Sequence, residues 1–547
     1  MTRLISLFLS ILILSLPLQA ADTLLVRQQQ IPILIERQDN VWMEMRLEAE
    51  RIRALESVTL SLSADTPPEA IRAIKLYYGG TEARTEADKG RWAPVDYVSA
   101  FRVGGTLRAN PSYAILLAET CPSEATGRNL TLEAGGKALF PGVNFFWISI
   151  EMNPEKTTLE TKVKAELSAA RADGQALPVR STTPPLTRRM AVGVRHAGDD
   201  GVAAYRIPGL VTTPKGTLLA TYDVRRNSSV DLQEHIDIGL SRSTDGGRTW
   251  EPMRLPIAMG EAGGLPAAQN GTGDPCILVD EQTGDVLIIA AWAHGMGNRR
   301  AWHNSGPGMD ETQTAQLLLT RSTDDGRTWS EPVNLTPQVK RPEWHFLLQG
   351  PGRGTCMADG TLVCPIQFID PDRLPHAGIM YSRDHGTTWT LHNPARENTT
   401  EAQVAEPEPG VLMLNMRDNR GGSRAVSTTT DLGRTWQEHP SSRSALIEPV
   451  CMASLLSIRA DENAAGRDLL LFSNPRSTDE RHNLTLRLST DGGLTWPDIH
   501  SLLLDAGSGW GYSCLTLVDP HTIGILYESS VAHITFQTID LSELLTE

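Results

Sequence analysis

"SRSTDGGRTW", residues 241–250, reads as a tight turn between two strands, and the chain repeats it. "TRSTDDGRTW" follows at 320–329, "YSRDHGTTW" at 381–389, "TTTDLGRTW" at 428–436 and "LSTDGGLTW" at 488–496. All five share Ser/Thr-x-Asp-x-Gly-x-Thr-Trp, with the aspartates Asp245, Asp324, Asp384, Asp431 and Asp491 spaced by 79, 60, 47 and 60 residues. Average composition predicts on the order of 10⁻⁴ chance matches, so the pattern is a structural repeat. Its chemistry is local: Asp accepts backbone N–H bonds across the turn, Gly takes a positive φ, and Trp packs between neighbouring sheets. Repeats of 40 residues or more built from short strands imply radial four-stranded blades. Some 358 residues at roughly 60 per repeat predict six blades, an all-β six-bladed propeller over 195–547.

Upstream, residues 21–180 alternate apolar and polar residues in short runs bounded by Gly, Pro, Asn or Asp, as in "LESVTLSLS" (55–63) and "NFFWISIEM" (144–152). They predict a smaller β-sandwich preceding the propeller. The proline-bearing stretch around 181–194 reads as a linker. Arg3 and the apolar run 4–18, followed by "QAAD", read as a signal peptide over 1–20 with cleavage after Ala20. The run is short for a membrane span. The expectation is an exported protein, periplasmic or extracellular, without membrane insertion.

The net charge of −15 argues against nucleic acid as a partner, and it requires any anionic substrate to be held by a local basic cluster. The six cysteines lack metal-ligand spacing. Cys356 and Cys364 flank a hairpin and could be bridged, but buried free thiols are the better reading. "LQEHID" (232–237) lacks the second His of a zinc motif, and no phosphate loop or dinucleotide fingerprint occurs in a suitable context. No metal or cofactor is expected, and no residue pattern specifies an oligomeric state.

The five turns resemble the Asp boxes of sialidases (neuraminidases), and other segments resemble that family in the same chain order. "YRIP" (205–208) is similar to its opening signature and places Arg206 first in an arginine triad. "YDVRRNSSVD" (222–231) supplies Arg225 and, six residues on, Asp231. "EAQVAEPEPGVLMLNMRDNR" (401–420) sets Glu401 sixteen residues before Arg417. "ERHNLTLRLS" (480–489) offers Arg481 and "GWGYSCL" (509–515) offers Tyr512. The resemblance implies an exo-α-sialidase acting on sialylated glycans, with Arg206, Arg417 and Arg481 on the substrate carboxylate. It further implies Tyr512 as nucleophile, Glu401 as its base and Asp231 as acid/base, with a retained configuration. It resembles enzymes whose amino-terminal domain is lectin-like; here bracing or glycan binding are both open.

These residue types suit the chemistry independently. Sialic acid carries a carboxylate on its anomeric carbon, which planar guanidinium groups bind bidentately. An Asp or Glu nucleophile would be repelled by that carboxylate. A phenol avoids the clash but, with a pKa near 10, needs a base beside it. Sialidases with a Tyr nucleophile are a recognised exception to paired-carboxylate glycoside hydrolysis. Several positions keep rivals: Arg226 for Arg225, Glu406 and Glu408 for Glu401, Arg476 and Arg487 for Arg481. Asp274, in "GTGDPC", is either a contact to a sugar hydroxyl or ordinary turn chemistry. The loops "WAHGMGNRRAW" (292–302) and "LLQGPGRG" (347–354) either line the funnel or are structural. Two other functions remain: a non-catalytic propeller binding glycan or protein, and a trans-sialidase-type transferase.

Overall fold

The computed structural model describes residues 23–81, 114–124, 127–297 and 300–545; the expected signal peptide, 1–20, lies outside them. The described chain is all-β, with only short helical turns.

Two amino-terminal sheets face one another across a single core. One runs Val179–Ser181, Leu24–Arg27, Asn40–Ala49, Gly142–Met152, Ile71–Gly80, Ile115–Thr120; the other Gln175–Leu177, Ala165–Ala172, Arg53–Leu62, Asn129–Leu139. In the second sheet burial alternates along each strand, as expected where one face meets solvent. Gly142–Met152 instead is buried on both faces over most of its length. One face joins the shared core. The other, through Trp147 stacked on Tyr77 at 4.4 Å, meets Ala191, Val531 and Ala532 from the carboxy-terminal region.

From Arg188 onward six larger, mainly antiparallel sheets follow, with a two-stranded one of Gly422–Ser423 and Ile447–Glu448 beside them, counted among the described residues. The first is Ala204–Thr212, Leu218–Arg225, Ile236–Ser243, Arg254–Ile257. The second is Thr272–Val279, Val286–Trp292, Gln316–Ser322, Val333–Asn334, and the third Phe346–Gln349, Leu362–Ile369, Pro375–Ser382, Thr390–Leu391. The fourth is Thr399–Glu408, Val411–Asp418, Ala425–Thr429, Gln437–Glu438, and the fifth Ser454–Ile458, Leu469–Pro475, Leu484–Ser489, Ser501–Asp505. The sixth takes Ser513–Asp519, Thr522–Tyr527 and Ile534–Asp540 from the end of the chain and Arg188–Arg195 from far upstream. The expected linker 181–194 is therefore corrected: its second half is a buried strand. The proline-rich composition of 184–185 stops just short of it, and its pairing partner lies more than three hundred residues away.

Apolar clusters fill each gap between successive sheets. Ile238 and Leu240 meet Ile277 and Ile288, Leu287 and Leu317 meet Leu362 and Met380, and Val363 and Ile379 meet Val404 and Leu414. Met413 meets Leu455 and Phe472, Leu471 meets Leu515 and Ile525, and Cys514, Leu526 and Phe536 of the sixth sheet meet Tyr205 and Leu210 of the first. The five repeated turns feed this series. In the first, Asp245 Oδ1 accepts the Ser243 hydroxyl at 2.8 Å and the Thr249 amide at 3.0 Å, while Oδ2 accepts the Thr249 hydroxyl at 2.6 Å. The same bonds recur at Asp324, Asp384, Asp431 and Asp491. Gly247, Gly326, Gly386, Gly433 and Gly493 have φ between 75° and 88°, the conformation that reserves the position for glycine. Each turn's tryptophan packs into the cluster shared with the preceding sheet, from Trp250 against Phe536 to Trp496 against Phe472.

All six cysteines are free thiols, so Cys356 and Cys364 are not bridged. Cys364 instead points at Cys276 of the second sheet, 3.5 Å between sulfurs.

Candidate active site

Three of the six sheets start with a strand that bulges where a predicted site residue sits. The first strand shifts register between Arg206 and Gly209, with Ile207 at φ 61°. The second sheet shifts between Gly273 and Cys276, with Asp274 at φ 60°, and the fourth between Thr399 and Ala402 around Glu401. Bulges re-aim side chains out of the ladder, which is why they gather beside active sites. Arg225 ends the second strand of its sheet and Arg417 is the last but one of its own, Asp231 and Arg481 sit on loops, and Tyr512 immediately precedes the first strand that the chain's end contributes to the sixth sheet.

These side chains converge. The Tyr512 hydroxyl donates to Glu401 Oε1 at 2.5 Å, and Arg417 Nη1 donates to Glu401 Oε2 at 2.6 Å and reaches the Tyr512 oxygen at 3.3 Å. The guanidinium carbons of Arg206 and Arg481 lie 5.2 and 5.8 Å from the Tyr512 ring centre. Arg481 is held by the carbonyls of Trp510 and Val450 at 3.0 and 3.3 Å. Opposite, Arg225 Nη1 donates to Asp231 at 2.7 Å, and Arg206 Nη1 lies 3.6 Å from the same carboxylate oxygen. A cavity of about 320 Å³ joins the two groups; Asp231, Asp274, Glu401, Arg417 and Tyr512 line it. Arg300 and Trp302 of the first expected loop and Leu348 of the second line it as well.

The rivals lie elsewhere. Arg226 pairs with Asp237 at 2.8 Å, and Glu406 caps turns by accepting the amides of Ala358 and Gly410. Arg476 pairs with Asp498, and Arg487 is bound to Ala445 and Asn474. Glu408 ends its strand, exposed.

Burial and charge set the protonation states. Burial pushes the Tyr512 phenol well above its usual value, and the neighbouring Glu401 adds to it against Arg417 and Arg481. Burial also pushes the Asp231 carboxyl up, but Arg225 and Arg206 together outweigh it and hold the group below the usual carboxylate range. Asp274 goes the other way: burial, then the charges of Asp223 and Glu401, raise it well above that range.

Three further residues hold the site together, and sequence reasoning missed them. Glu528, its side chain 0% exposed, accepts from Arg206 Nε at 3.0 Å and from the amides of Ile207 and Tyr512, both at 3.0 Å. It thus ties the first arginine to the backbone of the tyrosine. Asp223 accepts from Arg225 Nη2 at 2.9 Å and from the Asp274 amide at 2.8 Å. Trp510 lies under the Arg206 guanidinium at 4.9 Å while its carbonyl holds Arg481. Only Trp510 had a signal, two residues before Tyr512 in "GWGY". The guanidinium groups of Arg206, Arg225 and Arg417 each face a carboxylate, the condition under which buried charge is tolerated.

A strained, arginine-lined cavity with a phenol bonded to a carboxylate defines a glycosidase-type site for an anionic sugar. Residues 21–176 match the model of the N-terminal domain of BNR-repeat neuraminidase, and residues 216–525 match that of a BNR repeat-like domain. The chain is 61% identical to a sialidase of Bacteroides fragilis over 528 residues, 96% of each chain. A solved structure, Hadza microbial sialidase Hz136, is 57% identical with a TM-score of 0.89, covering 95% of this chain and 99% of that one. The intramolecular trans-sialidase from Ruminococcus gnavus, at 22% identity and TM-score 0.55 over 64% of this chain and 98% of that one, shares the fold. The chain belongs to the BNR-repeat sialidase family and is a glycoside hydrolase of the exo-α-sialidase kind.

Proposed function

We propose that the enzyme hydrolyses terminal α-linked sialic acid from glycoproteins, mucins or oligosaccharides with retention, through a covalent sialyl–Tyr512 intermediate. The observation that carries this reading is the 2.5 Å bond from the Tyr512 hydroxyl to Glu401, framed by three guanidinium groups. Arg206, Arg417 and Arg481 hold the substrate carboxylate. Two of them are already fixed by protein carboxylates, so little reorganisation is needed on binding. Arg225 and Asp274 meet the sugar hydroxyls.

In the first step the Tyr512 oxygen attacks the anomeric carbon while Glu401 takes the phenolic proton. Asp231 gives its proton to the glycosidic oxygen, and that carbon–oxygen bond breaks. In the second, Asp231 takes a proton from water, whose oxygen displaces Tyr512; the phenolate recovers its proton from Glu401. Two inversions give net retention. The high phenol pKa makes Glu401 indispensable, since the resting phenol is neutral. Asp231, ionised at rest, gains its proton more readily once a substrate carboxylate offsets Arg206. The test is release of sialic acid from a fluorogenic sialoside by the wild type and by Tyr512→Phe. Near-wild-type turnover by a folded Tyr512→Phe chain removes the mechanism.

The same reading extends to architecture and location. The six larger sheets are the blades of a propeller that begins at Arg188 rather than 195, with Arg188–Arg195 closing the last. The supporting observation is the cycle of apolar clusters that returns from the sixth sheet to the first. Residues 21–180 form a sandwich that braces it, through the apolar cluster that Trp147 and Tyr77 share with Val531 and Ala532. The charged, apolar-run start of the chain supports export. The non-catalytic reading leaves the Tyr512–Glu401 pair without a purpose.

A further inference from the structure

Four cations face the reaction chemistry already described, and each has a fixed partner: Arg206 has Glu528, Arg225 has Asp223, Arg417 has Glu401, and Arg481 has two carbonyls. A fifth, Arg300, lines the same cavity and is exposed, with no ion pair or side-chain hydrogen bond among the described residues. Its place is set by its neighbour. The Ala301 amide donates to the carbonyl of Leu232, the residue after Asp231, at 2.6 Å. The loop is braced from behind by Arg373 Nη2, which donates to the His303 carbonyl at 2.8 Å. Arg300 is close enough for its charge to act on the Asp231 carboxyl.

An acid that protonates the glycosidic oxygen must sit beside whatever that oxygen carries away. Groups tethered to the Asp231 segment that line the same cavity therefore lie where the leaving sugar departs. Trp302 supplies that wall with an aromatic ring, edge-on to Phe346 at 5.9 Å. Arg300 supplies it with a positive charge that has no ion pair among the described residues.

We infer that Arg300 recognises an anion on the leaving sugar, so that the enzyme favours sialosides whose departing group is itself charged. The anion is the carboxylate of a penultimate sialic acid, as in an α2-8 linkage, or a sulfate ester on the underlying sugar. The inference rests on Asp231 being the acid. Arg300 acts only on specificity: it touches neither the anomeric carbon nor the phenol.

The experiment compares kcat/KM of wild type, Arg300→Ala and Arg300→Lys on three substrates: an α2-8 disialoside, a sulfated sialyllactose and plain α2-3 sialyllactose. An exposed, charge-assisted contact of this kind, weakened by salt, is worth about 5- to 10-fold. Arg300→Ala loses that factor on at least one charged-aglycone substrate and less than about 2-fold on sialyllactose, and Arg300→Lys restores most of it. The wild-type preference shrinks as NaCl is raised, and that of Arg300→Ala does not. Loss on the disialoside alone identifies the carboxylate; loss on the sulfated substrate alone identifies the sulfate. Equal loss on all three substrates, as expected if Arg300 only tunes Asp231 or braces the loop, overturns the inference, and so does no loss on any. Failure of the wild type to release sialic acid from any of them overturns the proposed function instead.

Discussion

The proton on Tyr512 has one exit, Glu401, and the phenol is too weakly acidic to lose it unaided. Glu401→Gln keeps the shape and the Arg417 contact but removes the base, and should lower kcat about 10²- to 10⁴-fold with KM little changed. Asp231→Ala separates acid from base: hydrolysis of sialyllactose falls by at least about 10²-fold, while an aryl sialoside with a good leaving group loses far less, because it needs no proton. The pH dependence follows from the same carboxyl. Asp231 must be protonated to act as acid, and in the free enzyme Arg225 and Arg206 hold its pKa low against the effect of burial. The alkaline limb of kcat/KM therefore falls in the acid range. In the bound complex the substrate carboxylate offsets Arg206, the pKa rises, and the limb of kcat lies at higher pH. Initial-rate profiles of both parameters check this; coincident limbs contradict it. At this scale the sequence was legible where spacing carried meaning, as with the interval from Arg225 to Asp231. Glu528 and Asp223 were opaque, because an acid in "LYESS" or "TYDV" looks the same whether it meets solvent, an arginine two residues on, as Asp223 does, or one three hundred residues away, as Glu528 does.

The repeated turn is the element that stores the fold's local information. Its hydrogen bonds close within eight residues, so five of them could be read directly from the chain, and the packing of their tryptophans between sheets follows. Asp324→Asn should cost about 1–3 kcal/mol, since it weakens bonds from Ser322 and Thr328, and leave KM unchanged. Chemical denaturation with parallel kinetics measures both. Burial pushes Asp324 up, but those hydrogen bonds prevail and bring it to about 2. A carboxyl lowered in the folded state stabilises fully above its unfolded value near 3.9, and the contribution is lost as pH falls toward about 2. The wild type should lose stability across that window more steeply than Asp324→Asn.

The whole molecule depends on pairings that no local pattern announces. Val192 of the strand Arg188–Arg195 lies opposite Phe536, and Met190 opposite Ile33 of the amino-terminal region. The buried Arg188 guanidinium donates to the carbonyls of Ile31, Val41 and Trp42. Composition around Pro184 and Pro185 announced a break in the chain, and long-range pairing three residues later overrode it. The two regions should therefore unfold as one. Calorimetry is expected to show a single transition for the full chain and a lower midpoint for a chain beginning at Thr187; two independent transitions, with the second region unaffected by removal of the first, would contradict that coupling.

The central claim is that the phenol of Tyr512 becomes bonded to the sugar. In a sialyl fluoride bearing a second fluorine beside the anomeric carbon, that fluorine destabilises positive charge and slows both steps, while the anomeric fluoride, a good leaving group, keeps formation of the intermediate faster than its breakdown. Peptide mass spectrometry after reaction with it should find the sugar on Tyr512, and none in Tyr512→Phe. A modified Asp231 or Glu401, or undiminished turnover with no adduct, would contradict the account.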